Sequence, residues 1–581
     1  MKETAEQDEK AGKWLDAYAH CYYWLALLYE DDQAYEDKAE ELTELSSIEL
    51  SLKDSTCGET ATERYEGIEA VMYLRALQLL SSNYVKPIDY HEMAQDAVQR
   101  CRLLAQVLGH TQDTLAWTAT PEQIAEWNTG LETLWNPQTK SADEMDVRDA
   151  ATLLENVLVL NAITLKLPET VVIAHFAEAS FAALDPFTNL VWPWNVQDFE
   201  KSMTQQFTGI GVEISKTTGV LKVVSLLPDT PAYNSGLDAD DEIIAVNGES
   251  TEEMTIYCAV SKITGPKGTD VTLTVRRPVT GDTRDVVITR DKIKVQPLRG
   301  WIREADGEWN YLIDPENRIG YVRLTAFTET SGPDMDEVLR KLEQDGLNGL
   351  ILDLRFNTGG YLQAAAEVVD LFVSEGVIVK SIPRQGTPTY EIAHRSGTHP
   401  NYPLVVLING SSASASEIVA GALQDSHHMR ATLVGQRSYG KGSVQVVTPF
   451  TGGGSQLKYT VAYYHLPSDQ KVKNRYEQLE LGSKDWGIAP DVEVKMLSNE
   501  TRDMIDIQRD NDVLGRTDHE DNNGSALKRY TLVETLKADP QLSVGLLVLQ
   551  SKIVAAGHPV NVKPIFLADN KTIDQPVEIQ E

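Results

Sequence analysis

Residues 349–375 read GLILDLRFNTGGYLQAAAEVVDLFVSE. A short apolar run comes first, then a Gly-Gly turn, then an apolar stripe at helical spacing. An apolar run without alternation suits a strand that is covered on both faces. The same order recurs on either side. RIGYVRLT (318–325) precedes DMDEVLRKLEQDG (334–346), and YPLVVLING (402–410) precedes SASEIVAGALQDS (414–426). Strands and helices alternating in this way predict an α/β layered core over residues 301–500.

Upstream the period changes. GIGVEIS, GVLKVVSLL, DEIIAVNG and DVTLTVRRP are short β-type runs between Gly, Pro and Asp turns, with EEMTIYCAVSKI as a helix among them. They predict a small β-rich domain over 206–300. Earlier still, AGKWLDAYAHCYYWLALLYEDD, YEGIEAVMYLRALQLLSSNYV and MDVRDAATLLENVLVLNAITLKL carry apolar residues at helical spacing. TPEQIAEWNTGLETLW opens with a helix start signal. Residues 1–205 are thus expected to form a helical domain, with LDPFTNLVWPWNVQDFEK (184–201) as a turn-rich connector. The last segment, 501–581, reads as a mixed C-terminal extension. In it DHEDNNGS (518–525) is expected to be a flexible surface segment and DPQLSVGLLVLQSKIVAA (539–556) a closing helix. The fold class expected is multidomain α+β.

The 581 residues hold 87 Asp and Glu against 52 Lys and Arg, a net charge of -35. Such a surface repels nucleic acid and anionic membrane alike. No apolar run approaches the ~18–20 residues that span a bilayer, so no integral membrane span is expected. The opening MKETAEQDEK has no apolar signal core. Cys21, Cys57, Cys101 and Cys258 form no C-x-x-C pair, and free thiols or one or two bridges remain open.

GQRSYGKGSVQ (435–445) imitates a phosphate loop up to Lys441. The Ser or Thr that would hold magnesium is replaced by Gly442, and SVQVVTPF reads as a strand where a helix is required. A nucleotide site is therefore not expected. INGSSASASEIVAGAL (408–423) sends a strand through small polar residues into a helix. Ser414 and Glu417 fit a capping box. Equally, a serine at a helix N-terminus is a candidate nucleophile, since free N–H groups and positive partial charge favour an oxyanion.

A serine nucleophile needs a base. Of the eleven histidines, His427 and His428 fall at the far end of the same helix, while His394 and His465 lack an orienting partner in sequence. Lysine is the alternative. Its ordinary pKa of ~10.4 must fall by about three units, which burial can supply. Lys441 lies between glycines beside an apolar strand, so it is a candidate base, with a solvent-facing turn lysine as the plain alternative. Gly359 and Gly360 form a strand-to-helix turn able to aim amides at an anion, or an ordinary turn.

Together these segments resemble the carboxy-terminal processing peptidases, or tail-specific proteases. The family pattern N-x-G-[ST]-A-S-A-S-E-I is matched by NGSSASASEIVAGALQD, and G-x-x-T-F-G-K-G-x-V-Q by GQRSYGKGSVQ. DLRFNTGG, WGIAPDVEV (486–494), LDPFTNL and FTGIGVEI fit in order and spacing over residues 179–494, and SSNYVKPIDY resembles the family's N-terminal helical region. The resemblance implies a ClpP/crotonase-like α/β core with Ser414 as nucleophile, Ser416 its nearest competitor, Lys441 as general base and Gln445 holding the lysine. It implies an oxyanion hole from Gly359 or Gly360 with the amide of Ala415. Glu417 is expected to act as the helix cap.

The β-rich domain then reads as a PDZ module, whose amide loop would be Thr208, Gly209, Ile210 and Gly211. Such modules take a peptide C-terminus as an added strand. Expected partners are protein or peptide substrates with an apolar C-terminal tail. The N-terminal helices are a candidate surface for an adaptor or a second copy. No metal or cofactor is required by this chemistry. Family members are exported, which implies periplasm or cell envelope; the missing signal core leaves a cytoplasmic protein as the other reading. A catalytically silent PDZ scaffold is the alternative function, and an acyl-CoA enzyme a third. Departures from the pattern are a spacing between Ser414 and Lys441 longer by about two residues, RSYG for Thr-Phe-Gly, and unmatched helical material near 105–170.

Overall fold

The computed structural model describes residues 2–28, 33–55, 58–110, 115–136, 145–204, 206–278, 280–304, 306–450, 454–514 and 528–561. The expected flexible segment at 518–525 lies outside them. Helices dominate up to residue 182, among them Gln33–Leu52, Ala70–Asn83, Tyr90–Gly109, Pro121–Leu134, Val147–Ile163 and Glu169–Ala182. Caps start several of them: the Thr120 side chain accepts from the Gln123 N–H, and the Asp146 carboxylate from Arg148 and Asp149. Their apolar stripes share one core that includes Leu42, Tyr73, Trp127, Phe176 and Phe181. Among the described residues no helix is long and apolar enough to cross a membrane.

The connector is more structured than its turn residues suggest. It holds the strand Asn189–Val191, a 3-10 turn at Pro193–Asn195 and the helix Val196–Thr204. The strand exists because Leu190 pairs with Leu457, far along the chain. A pairing partner that distant leaves no local trace in three residues.

Six strands from Val212–Ser215 to Thr283–Thr289 form one antiparallel sheet, with Ile256–Ile263 as its helix. Val223, Leu226, Ile243, Leu273 and Ile288 fill its separate core. Cys258 in that helix is disulfide-bonded, whereas Cys21 and Cys101 are buried free thiols; Cys57 lies outside the described residues.

The third unit is built on the parallel strands Ile319–Leu324, Gly349–Asp353, Leu404–Ile408 and Thr432–Gly435. Each is mostly apolar because both faces are covered. Residues such as Val322, Leu352 and Val406 pack against helices Ser331–Gln344, Leu362–Asp370 and Ala415–Gln424. Their neighbours Tyr321, Ile351, Val405 and Leu407 point the other way, onto Leu542, Leu546, Leu549 and Ile553 of helix Pro540–Ala555. That closing helix is fastened by charge. Arg355 lies between Asp353 and Asp539, 2.7 Å from each, and all three side chains are at most 2% exposed. Asp539 also caps the helix, accepting from the Leu542 N–H. The polar end of LDLR is thus structural.

A second sheet runs Asn189–Val191, Gln456–His465, Gly376–Pro383, Thr389–Ala393, with Ser443–Pro449 also paired to Gln456–His465. The Gln456–His465 strand serves two cores. Leu457 and Tyr459 pack into the helical one, while Tyr464 belongs to that of the parallel sheet.

Candidate active site

Three loops leave the C-terminal ends of three adjacent parallel strands: 354–361 after Gly349–Asp353, 409–414 after Leu404–Ile408, and 436–442 after Thr432–Gly435. This end of an open α/β sheet is where ligands bind. Hydrogen bonds stitch the loops together. Ala413 N–H donates to the Asn357 carbonyl at 3.1 Å, and Tyr439 N–H to the Ser412 carbonyl at 2.9 Å. The Asn409 side chain accepts from the Phe356 N–H.

Ser414 begins the helix Ala415–Gln424 with φ 56 and ψ -113. A non-glycine residue in such a conformation costs about 1–3 kcal/mol and persists only where its surroundings impose it. Here Gly359 presses on it: a Cβ at Gly359 would lie 2.8 Å from Ser414 Cβ and 3.1 Å from the Ala415 nitrogen. Ser416 and Ser412 are committed elsewhere, donating to the carbonyls of Asn357 and Leu354, each at 2.8 Å. The Ser414 side chain faces the phenol of Tyr464 instead. Burial pushes that phenol up to about 12, opposed by the polar Ser414 side chain beside it.

The two glycines of the turn differ. Gly359 N–H donates to Asn357 Oδ1 at 2.9 Å. The N–H groups of Gly360 and Ala415 have no acceptor among the described residues. Of the three candidate amides, those of Gly360 and Ala415 are thus free among the described residues; Gly359 provides the close approach.

Lys441 is squeezed into place. A Cβ at Gly442 would fall 1.8 Å from the Val472 carbonyl oxygen, so no larger residue can follow the lysine. Strand Ser443–Pro449 comes next, as SVQVVTPF predicts, and no phosphate-binding helix forms. The residue is half-buried, with its amine end enclosed. Desolvation, helped by the nearby Lys458 ammonium, brings its pKa down to about 8; Glu417 and Asp185 pull the other way. Its Nζ lies over the Phe187 ring, 4.9 Å from the centroid. Among the described residues no hydrogen bond joins that amine to Ser414.

Glu417 does more than cap the helix. Its carboxylate, 1% exposed, accepts from the N–H groups of Ser414, Gly440 and Lys441 and from the Ser438 hydroxyl, at 2.9, 2.7, 2.8 and 2.6 Å.

Gln445 stands differently from its expected pose. It sits two residues into a strand that begins at Ser443, at a register shift between Val444 and Gln445, and it makes no bond to Lys441 among the described residues. Its amide donates to Ser443 and Thr460, at 2.8 and 3.1 Å. None of the described histidines bonds to the Ser414 side chain. His427 pairs with Asp425 and His465 with Asp469, while His175 is sealed among Tyr65, Ser51 and Arg100 in the helical core.

Phe187, Asp185, Lys458 and Tyr464 are site residues that sequence reasoning missed. Asp185 accepts from the Phe187 N–H, the Thr188 hydroxyl and the Tyr84 phenol, and so folds the loop that presents Phe187. The one available signal was LDPFTNL itself, with its turn-forming Asp-Pro.

In the β-rich unit the four expected peptide-binding residues separate. Thr208 and Gly209 belong to the strand Gln206–Gly209, paired with Asp291–Lys294. Ile210 is buried in the local core, and Gly211 presses on Thr230. The N–H groups of Ile210 and Gly211 have no acceptor among the described residues.

Residues 318–494 match Peptidase family S41 and residues 197–276 match the PDZ domain, which defines a serine peptidase carrying a PDZ module. The chain belongs to the carboxy-terminal-processing protease family. It is 34% identical over 394 residues to the carboxy-terminal-processing protease of Bartonella bacilliformis, covering 66% of this chain and 84% of that one. It is 36% identical over 286 residues to the carboxyl-terminal-processing protease of a Picosynechococcus species, covering 49% and 66%. With the chloroplastic carboxyl-terminal-processing peptidase 3 of Arabidopsis thaliana it shares 35% over 336 residues, covering 55% and 60%.

Proposed function

We propose that this peptidase cuts through an acyl-enzyme made by Ser414 and Lys441. The observation that carries the reading is Lys441 itself, a buried amine over the Phe187 ring and brought down to about 8, its loop joined to that of a strained, helix-capping serine. The neutral amine takes the Ser414 Oγ proton as Oγ bonds to the scissile carbonyl carbon. The resulting oxyanion accepts hydrogen bonds from the Gly360 and Ala415 N–H groups. The lysinium returns the proton to the departing amine nitrogen as the C–N bond breaks. Water, deprotonated by the same amine, then adds to the acyl carbon, and the C–Oγ bond breaks as the lysinium returns that proton to Ser414 Oγ. The Lys441 side chain must swing from Phe187 toward Ser414 for this, which its flexible stem permits.

Gln445 acts through its bonds to Ser443 and Thr460, steadying the strand that follows the lysine. The PDZ module captures an apolar C-terminal tail, its carboxylate taken by amides of the Thr208–Gly211 loop, chiefly those of Ile210 and Gly211. The division at 205, 300 and 500 is kept, except that 184–192 works with the catalytic core. An exported location and an adaptor or self-association surface on the N-terminal helices complete the reading.

The test is cleavage of an unfolded protein ending in an apolar tail, by the wild type and by Ser414→Ala and Lys441→Ala. Loss of about 10²-fold or more in the lysine variant is expected. Equal cleavage by all three proteins would remove the dyad; no cleavage by any of them would leave a silent scaffold.

A further inference from the structure

Ser414 and Lys441 belong to different loops, and nothing in their own side chains fixes the spacing between them. One carboxylate does. Glu417 Oε2 accepts from the Ser414 N–H at 2.9 Å and from the Lys441 N–H at 2.8 Å. Its Oε1 accepts from the Gly440 N–H and the Ser438 hydroxyl. Ser438 is locked in turn, accepting from the Ile488 N–H at 2.7 Å. The surroundings leave this joint no slack: a Cβ at Gly487 would lie 2.8 Å from Glu417 Oε1 and 2.4 Å from Ser438 Oγ. A helix cap needs only the first of these contacts. The other three reach out of the helix into the lysine loop.

We propose that Glu417 is a positioning residue of the peptidase, hanging the Ser414 and Lys441 backbones from one buried oxygen and so setting the distance across which the lysine reaches the serine. This rests on Ser414 and Lys441 being nucleophile and base. With four donors on two oxygens, the carboxylate works as an acceptor only, which an amide cannot imitate. Glu417 also faces the phenols of Tyr439 and Tyr464, and its charge favours the ammonium form of Lys441.

The experiment compares full-length wild type, Glu417→Gln, Glu417→Asp, Gly487→Ala and Lys441→Ala on an unfolded protein with an apolar tail, recording kcat, KM and the pH profile. Displacement of reacting groups by about 1 Å costs on the order of 10²-fold. Glu417→Gln is expected to lose about that in kcat with little change in KM, and to move the acid limb of kcat/KM to lower pH. Glu417→Asp keeps the charge, so it should recover part of the rate and leave the limb in place. A Glu417→Gln enzyme with wild-type kcat, or with an unmoved limb, overturns the proposal. Should that variant fail to fold, Gly487→Ala decides: a fall in kcat at unchanged melting temperature supports the joint, and wild-type kcat overturns it. Lys441→Ala separates the two layers. If it is inactive while Glu417→Gln is fully active, only the role of Glu417 falls; if it remains active, the dyad falls as well.

Discussion

Phe187 lies beneath Lys441, with the ring centre 4.9 Å from Nζ, although 253 positions separate the two in the chain. The ring meets the edge of Tyr476 at 6.1 Å, and Asp185 holds its backbone. A lysine with an aromatic floor has fewer waters to solvate its charge. Burial accordingly dominates the other influences on this amine.

The first expectation concerns pH. Lys441 titrates near 8 in the folded protein, against an ordinary 10.5, and only its neutral form accepts a proton. The acid limb of kcat/KM should therefore rise through about 8 and level off above it. Stability follows the same proton. Between the folded and unfolded values the unfolded chain binds more protons, so this group makes stability rise with pH across that window. Initial rates and thermal unfolding over that range measure both.

Phe187→Ala admits water to the amine. The acid limb should move to higher pH and the rate at neutral pH should fall. Phe187→Leu keeps the apolar cover but removes the attraction of the ring for a cation, an effect of about 0.5–2 kcal/mol, so its limb should move the opposite way. Opposite displacements in paired pH profiles identify the ring as a desolvating floor. A limb that drops in the alanine variant shows that it chiefly holds the charged form.

Lys458 is a second enclosed amine, on the Gln456–His465 strand, and its positive charge helps to depress Lys441. Removing that charge with Lys458→Met should raise the acid limb and reduce the rate near neutral pH, with less effect in alkali. A uniform loss at every pH would mean that the substitution acts on packing.

Asp539→Ala leaves Arg355 with Asp353 as its one charged partner among the described residues and uncaps helix Pro540–Ala555. Breaking one arm of a buried ion pair costs about 3–5 kcal/mol. In a unit of this size each kcal/mol moves the melting temperature by about 2–4 °C. The unfolding transition of the catalytic core should come at least about 6 °C earlier. An unchanged transition would show that the apolar contacts of the helix suffice.

Much of this was legible in the chain. The alternation of apolar strand and helix gave the layered core, and small residues around Ser414 with glycines around Lys441 marked the loops where the fold is crowded. What escaped reading was tertiary. Asn189–Val191 becomes a strand only because Gln456–His465 lies beside it, and Phe187 matters only because that pairing brings its loop to the lysine. Asp353 and Arg355 sit inside a site motif yet fasten a helix from beyond residue 500. Gln445 bonds to Ser443 and Thr460 beside a register shift in its strand, and such bulges leave little mark in sequence.

The Gln456–His465 strand turns Leu457 and Tyr459 toward the helical half and keeps Thr460 and Tyr464 for the site. That shared plank makes the helical half a poor cassette for exchange between relatives. A chimaera joined at residue 205 would inherit a foreign floor under its lysine, and drift among buried helical residues is answerable to proteolysis as well as to folding.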